Sequence, residues 1–428
     1  MTLTDGVRFT GSTVKTLSDS VWANTKAVRA RPRERPDADI TTFDPLDPAT
    51  IAQPHLAYRR LHAGGRVPYN RKRHVWILSR LDDVREAARN DTALSSADGP
   101  TRTIFRAPIL VSTDGDKHAQ MRRQVLPAFT KSALESWRPI VDQLAAETVR
   151  ELLTNPGGDV VQRLAIPVPV RLIARLLGVP DTDVDDFRRW SEASIRITDV
   201  ALATRGLRNL ASAVSGSWSI HRYFKRQFAS GGLKGSDTIL GRLLAENEGG
   251  SLNDTELFYF AMLLLLAGNE TTTNLLGGMF ATLAAHPEQF DLVRADQNLI
   301  PMAIEELMRY LSPAQQMYRT ALSDYPVGDV TIPAGARVML AIAAANRDPR
   351  VFEEPDAFRA GRNPTQHMAF GYGAHLCLGA QLTRMEAQAV LRELATHASR
   401  ISVIGEPRWS TNSTLRGPTH LRVQLTPA

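Results

Sequence analysis

Residues 370–379 read Phe-Gly-Tyr-Gly-Ala-His-Leu-Cys-Leu-Gly and hold the chain's single cysteine, Cys377. Glycines at 371 and 373 let the backbone turn and approach a flat group closely. Apolar Leu382, Met385, Ala389 and Leu391 follow at helical spacing, so a helix is expected from about Leu378 to His397. Cys377 then lies at a helix N-terminus, where the dipole and free N–H groups stabilise a thiolate. A thiolate there, behind a glycine-rich turn, is a good soft axial ligand for a haem iron. The competing reading is a structural cysteine in a glycine-containing turn.

One cysteine excludes an internal disulfide framework, a CxxC redox motif and any site needing several thiolates. The chain has 428 residues, 43% hydrophobic and 22% charged, an ordinary globular balance. Its net charge of +6 permits an acidic partner without demanding nucleic acid. Residues 1–36 form a basic arm, with Arg31, Arg33 and Arg35 between helix-breaking Pro32 and Pro36. The start of the chain lacks a basic n-region followed by an apolar stretch, so no signal peptide is expected. The apolar run 257–268 is too short to span a bilayer. A cytoplasmic protein with no membrane span is expected.

Outward from the loop, the next informative stretch is a long apolar helix. Asn253 or Asp254 is its candidate N-cap and Pro287 its stop, roughly 32 residues or about 48 Å. It is apolar all round through Leu263–Leu266, then reads Ala-Gly-Asn-Glu-Thr-Thr-Thr over 267–273. Ala267 and Thr271 share a face, and small Ala267 and Gly268 let that face lie close to a flat cofactor. A carboxylate and hydroxyls inside a buried helix cost stability, so they call for a role. The bland alternative has Thr271 bonding back to the Ala267 carbonyl while Glu270 meets a basic neighbour.

Phe370, Gly371, Gly373, His375, Cys377 and Gly379 together match FGxGxHxCxG, the haem-binding loop of the cytochromes P450. The match continues through Leu382, Arg384 and Glu386, with Thr383 where the family usually has Ala. The chain resembles the soluble bacterial members of that family from about Asp44 to Pro427. The resemblance implies a mainly α, P450-like single-domain fold with small β-sheets, the haem domain covering 37–428. It implies haem b ligated by Cys377. The 267–271 run resembles the oxygen-activation motif, so Glu270 and Thr271 would manage protons, with Ala267 and Gly268 beside the cofactor. His118 and Arg122 match the HxxxR pair, and with Arg319 and His375 would hold the haem propionates. Glu306, Arg309 and Arg362 match a structural triad that does no chemistry.

The implied function is haem-thiolate monooxygenation. One atom of O2 enters a small hydrophobic substrate, by hydroxylation or O-dealkylation. The family places substrate contacts at Arg102, Phe105, Arg106, Leu264, Gln315, Gln316 and Asn412. Arg102 or Arg106 could hold a substrate carboxylate or simply face solvent. Residues 345–349 and 413–417 resemble P450s that oxidise para-substituted aromatic acids. No flavin or nicotinamide fingerprint is present, so electrons must come from outside; the resemblance implies that they come from NAD(P)H through a reductase and an acidic iron–sulfur ferredoxin. Arg122, Arg123 and Arg384 are candidates for docking it. The alternatives are a peroxide-driven haem enzyme, a tailoring enzyme acting on a terpenoid, lipid or other natural product, and a non-catalytic haem binder.

Elsewhere, helices are expected at Ala52–Ala63 and Leu81–Asn90. Paired strands are expected at Arg66–Tyr69 and His74–Ser79, a hairpin around Ile332–Gly335, and a strand at 420–425.

Overall fold

The computed structural model describes residues 39–104, 106, 109–195, 204–231, 236–246 and 254–428. The basic arm at 1–36 lies outside the described residues, as does Phe105. The chain divides into two compact units. One holds the residues up to Met121 with Ala314–Pro355 and Met368–Leu376; the other holds Arg122–Pro313, Asp356–His367 and Cys377–Ala428.

In the first unit, Val75–Leu78 is buried on both faces and organises two cores. Strand residues alternate sides, so Trp76 and Leu78 pack with Leu81, Val84 and Ala87. Val75 and Ile77 face the other way, onto Phe43, Tyr58 and Leu61. The sheet runs Tyr69–Asn70, Val75–Leu78, Arg337–Leu340, Met317–Ala321, Leu94–Ser95. Val75–Leu78 and Arg337–Leu340 are parallel, and every other pairing in this sheet is antiparallel. The expected strand pair near 66–79 is present but shorter, Tyr69–Asn70 against Val75–Leu78.

Two local expectations need correcting. The helix expected over Ala52–Ala63 is broken, because Pro54 begins a new helix that runs to Ala63; proline fits the first turn of a helix but not its interior. The hairpin turns at Gly328, φ +64°, between Tyr325–Val327 and Val330–Ile332. The turn at Gly335 instead sends the chain to a different sheet, so turn residues alone misplaced the hairpin.

The second unit is helical. Its axis is Asp254–Ala285, 32 residues long. Leu275, Leu276, Met279 and Phe280 are fully buried on it. A Cβ added at Gly277 would lie 2.8 Å from Pro418, and one at Gly278 would lie 2.8 Å from Leu311, so these glycines permit close packing. The helix packs on Pro167–Leu176, Ile300–Leu311 and Ala380–His397. A three-stranded antiparallel sheet of Gly158–Asp159, Arg422–Pro427 and Ala398–Val403 completes the unit. No helix among the described residues is long and apolar enough to cross a membrane.

Candidate active site

Cys377 lies two residues before Gly379, the N-cap of the Ala380–His397 helix. The helix therefore starts slightly later than the sequence suggests, and the cysteine stays at its entrance. The residue is exposed. Protein packed about the sulfur pushes the thiol up, while the Gly379 N–H and the Arg122 and Arg384 cations act to lower it. An electropositive, accessible cysteine at a helix start is a donor for a soft metal centre.

The approach to Cys377 depends on two glycines in left-handed conformation, Gly371 at φ +73° and Gly373 at φ +71°. A Cβ at Gly373 would sit 2.9 Å from the Ala88 carbonyl oxygen and the Arg89 Cα. Only glycine fits. Phe370 is half-buried at the start of this turn.

His375 is held from behind. Its Nε2 lies 3.1 Å from Ser96 Oγ and 3.3 Å from Asp114 Oδ1, and its ring stands 4.3 Å from that of buried His118. Asp114 also accepts from the Ser96 N–H at 2.9 Å and Ser95 Oγ at 2.6 Å. These donors hold its carboxyl down at about 2, against burial that acts to raise it. Sequence reading missed Asp114; its signal was its place just before the His118 helix, Gly115–Val125.

Arg319 is 6% exposed, and it donates to the Tyr318 carbonyl oxygen at 2.9 Å. Burial lowers its pKa. A buried guanidinium with five donors calls for an anion. Arg122, in the second unit, is half-buried and also lowered by desolvation. Within the first unit, His118, His375 and Arg319 are donors of the kind a cofactor carboxylate requires.

On the long helix, Ala267 is exposed while Gly268, Glu270 and Thr271 are half-buried. Thr271 Oγ1 donates to the Ala267 carbonyl at 2.7 Å, the back-bond that keeps its hydroxyl on that face. Leu264 is buried one turn before Ala267. Thr383 brings its Oγ1 to 3.5 Å from Thr272 Oγ1, placing a hydroxyl contact between the cysteine helix and the long helix.

The triad forms fully. Glu306 and Arg309 have fully buried side chains and pair through two bonds of 2.7 and 2.8 Å. Arg362 Nε lies 3.1 Å from Glu306 Oε1, and Arg309 donates to the Ala357 carbonyl at 3.1 Å. Beside it, Arg384 donates twice to Glu305, at 2.6 and 2.9 Å, and His367 contacts Glu305 at 2.9 Å. The Arg384 charge is thus used internally, whereas Arg123 is exposed.

Among the residues expected at substrate, Arg102 and Arg106 are exposed and Arg106 is ion-paired with Asp98 at 2.8 Å. Gln315 accepts from the Tyr58 hydroxyl at 2.6 Å. Gln316 is 2% exposed, and its side-chain nitrogen has no hydrogen-bond partner among the described residues. Asn412 accepts from the Thr414 and Leu415 N–H groups and so shapes its own turn.

Comparison with known proteins shows the family and the fold. Residues 223–396 match the family model described as cytochrome P450. The chain is 50% identical to beta-dihydromenaquinone-9 omega-hydroxylase of Mycobacterium tuberculosis over 388 residues, 91% of this chain and 79% of that protein. The structure of cytochrome P450 CYP109Q5 from Chondromyces apiculatus superposes with a TM-score of 0.82 at 30% identity, covering 91% of this chain and 99% of that one. CYP109E1 from Bacillus megaterium, solved in complex with testosterone, gives 0.78 at 30% identity, covering 87% and 99%.

Proposed function

As the chain belongs to the cytochromes P450 and is a monooxygenase, we propose that it hydroxylates a neutral, chain-like apolar substrate, with a prenyl lipid as the leading class. The observation that carries the substrate class is the 50% identity to an omega-hydroxylase of a menaquinone. The haem b that the family carries supplies oxygen activation when bound. The chain's own residues serve that chemistry. Cys377 is the ligand, and Gly371 and Gly373 fix its loop. Arg319, His118, Arg122 and His375 are the donors for the two carboxylates of the cofactor.

Thr271 presents a hydroxyl, and Glu270 places a carboxyl group one residue away on the same helix. A positioned acid within reach, directly or through water, delivers protons to a developing charge. Leu264 and Ala267 leave an apolar surface beside them that excludes water and orients a hydrocarbon. Electrons come from NAD(P)H through a reductase and an acidic iron–sulfur ferredoxin. Exposed Arg123 is one docking cation. Arg384 is a weaker candidate because Glu305 already takes its charge.

The test is turnover of a dihydromenaquinone by the holoenzyme with ferredoxin and reductase. A product carrying one hydroxyl at the end of the prenyl chain supports the reading. Turnover of para-substituted aromatic acids in place of the quinone would replace it. Equal rates with hydrogen peroxide alone would favour the peroxide-driven class.

A further inference from the structure

The loop 370–376 that leads into Cys377 is fastened on two sides by side chains of the first unit. On one side, His375 Nε2 lies 3.3 Å from Asp114 Oδ1 and 3.1 Å from Ser96 Oγ. The Asp114 carboxylate is itself fixed. Its Oδ2 accepts from Ser95 Oγ at 2.6 Å, from the Ser96 N–H at 2.9 Å and from the Ala97 N–H at 3.2 Å. Ser95 belongs to the sheet, where it pairs with Thr320. An ionised carboxylate only accepts, so the hydrogen between it and His375 lies on Nε2.

The other side is aromatic. Tyr372 is exposed, and its ring centre lies 5.7 Å from the Arg85 guanidinium and 5.6 Å from that of Arg89. Arg85 and Arg89 are one turn apart on the helix Leu81–Arg89, so both cations reach the same ring. That helix is a firm support. Its Leu81, Val84, Ala87 and Ala88 are buried, and the Leu81 N–H donates to Asp348 Oδ2 at 3.0 Å. Gly373 lies against its last turn, at Ala88 and Arg89. No apolar residue from 369 to 379 is buried, so packing into the protein's own core does not fix the loop. The glycines that let the chain enter left-handed turns at 371 and 373 restrain it least once there.

We propose that Asp114 and Tyr372 are positioning residues for the cysteine ligand: through His375, Arg85 and Arg89 they hold loop 370–376 in its ligand-presenting shape. The proposal rests on Cys377 being the thiolate ligand, as the single cysteine of a chain in this family. Both clamps are made by protein groups alone. The loop is thus ordered ahead of ligation, and binding does not bear the entropy of ordering it.

The ferrous carbon monoxide complex reports the ligand, because its Soret band moves to shorter wavelength when the thiolate is lost. The holoenzyme is held in urea below its unfolding midpoint, and loss of the thiolate band is timed beside far-UV circular dichroism. In Asp114→Asn the amide oxygen is taken by the Ser96 and Ala97 N–H groups, which turns the amide nitrogen toward His375 Nε2. This variant should lose the thiolate about 10-fold faster than wild type. Tyr372→Ala should lose it about 5-fold faster, whereas Tyr372→Phe keeps a ring face for both guanidiniums and should stay within about 2-fold of wild type. The circular dichroism signal should be the same in every protein, which separates a loop effect from general destabilisation.

A wild-type rate in either Asp114→Asn or Tyr372→Ala, or thiolate loss that only keeps step with circular dichroism, would overturn the proposal. Should Asp114→Asn not fold, the exposed Tyr372 variants decide alone. A wild type with no thiolate band would instead remove Cys377 as the ligand, and the proposal with it.

Discussion

Glu270, Thr271 and Glu386 show how differently three polar side chains can be used in one helical unit. Glu270 and Thr271 lie half-buried on the face that Ala267 leaves open. Glu270→Gln keeps the shape and removes the carboxyl group. It should slow coupled turnover by about 10²-fold with haem content unchanged, and unaltered turnover would remove the residue from proton delivery. Thr271→Ala should retain haem and divert electrons to hydrogen peroxide, read as peroxide formed per NAD(P)H consumed. Full coupling in that variant would contradict its role. Glu386 is a different case. It is 3% exposed, one carboxyl oxygen has no hydrogen-bond partner among the described residues, and burial pushes its pKa up to about 8 from 4.5. The folded state therefore holds a proton that the unfolded state releases. The associated stability is complete below about pH 4.5 and is lost as the pH rises through about 8. Wild type should lose melting temperature between pH 5 and 8 relative to Glu386→Gln, measured in parallel thermal melts, and parallel profiles would refute this. The residues of the cysteine loop were legible in the sequence because glycines and a lone thiol at fixed spacing leave few uses. Asp114 was not legible. Its role comes from Ser96 and His375, partners the chain order does not bring to mind.

At the scale of elements, the long helix was readable because apolar residues on every side signal burial, and its ends followed from a cap and a proline. The strands were less readable. Val75–Leu78 is too short to display a period, and its parallel neighbour Arg337–Leu340 is far away in sequence. The Pro54 break was written in the sequence and was overridden by the surrounding helical pattern. Two predictions belong at this scale. Glu306→Ala leaves fully buried Arg309 and half-buried Arg362 without their shared anion, at a cost of about 3–5 kcal/mol. It should lose soluble protein and haem together, and soluble protein with full haem would sink the triad's role. Gly373→Ala forces a side chain into a left-handed turn, costing about 1–2 kcal/mol before the contact with Ala88 and Arg89 is counted. A fall in the urea midpoint and in haem retention should follow, and an unchanged midpoint would contradict the fixed-loop account.

For the whole molecule, the family was legible from motif spacing while the substrate was not, because pocket residues are ordinary side chains whose meaning depends on neighbours. Arg106 illustrates this: alone it suggested an anchor for an acid, and the structure pairs it with Asp98. The electron supply is a whole-molecule question as well. Arg123 is exposed and cationic, so Arg123→Glu should weaken a ferredoxin-driven rate at low salt and matter less at high salt. A salt-independent effect would place the partner elsewhere. The most direct measurement of the central claim is a turnover under isotopically labelled dioxygen, with the holoenzyme, ferredoxin, reductase and a dihydromenaquinone, followed by mass spectrometry of the product. The account predicts one labelled oxygen atom in the product hydroxyl and none from labelled water. A hydroxyl oxygen that comes from water, or a quinone recovered without oxygen while NAD(P)H is fully consumed, would contradict it.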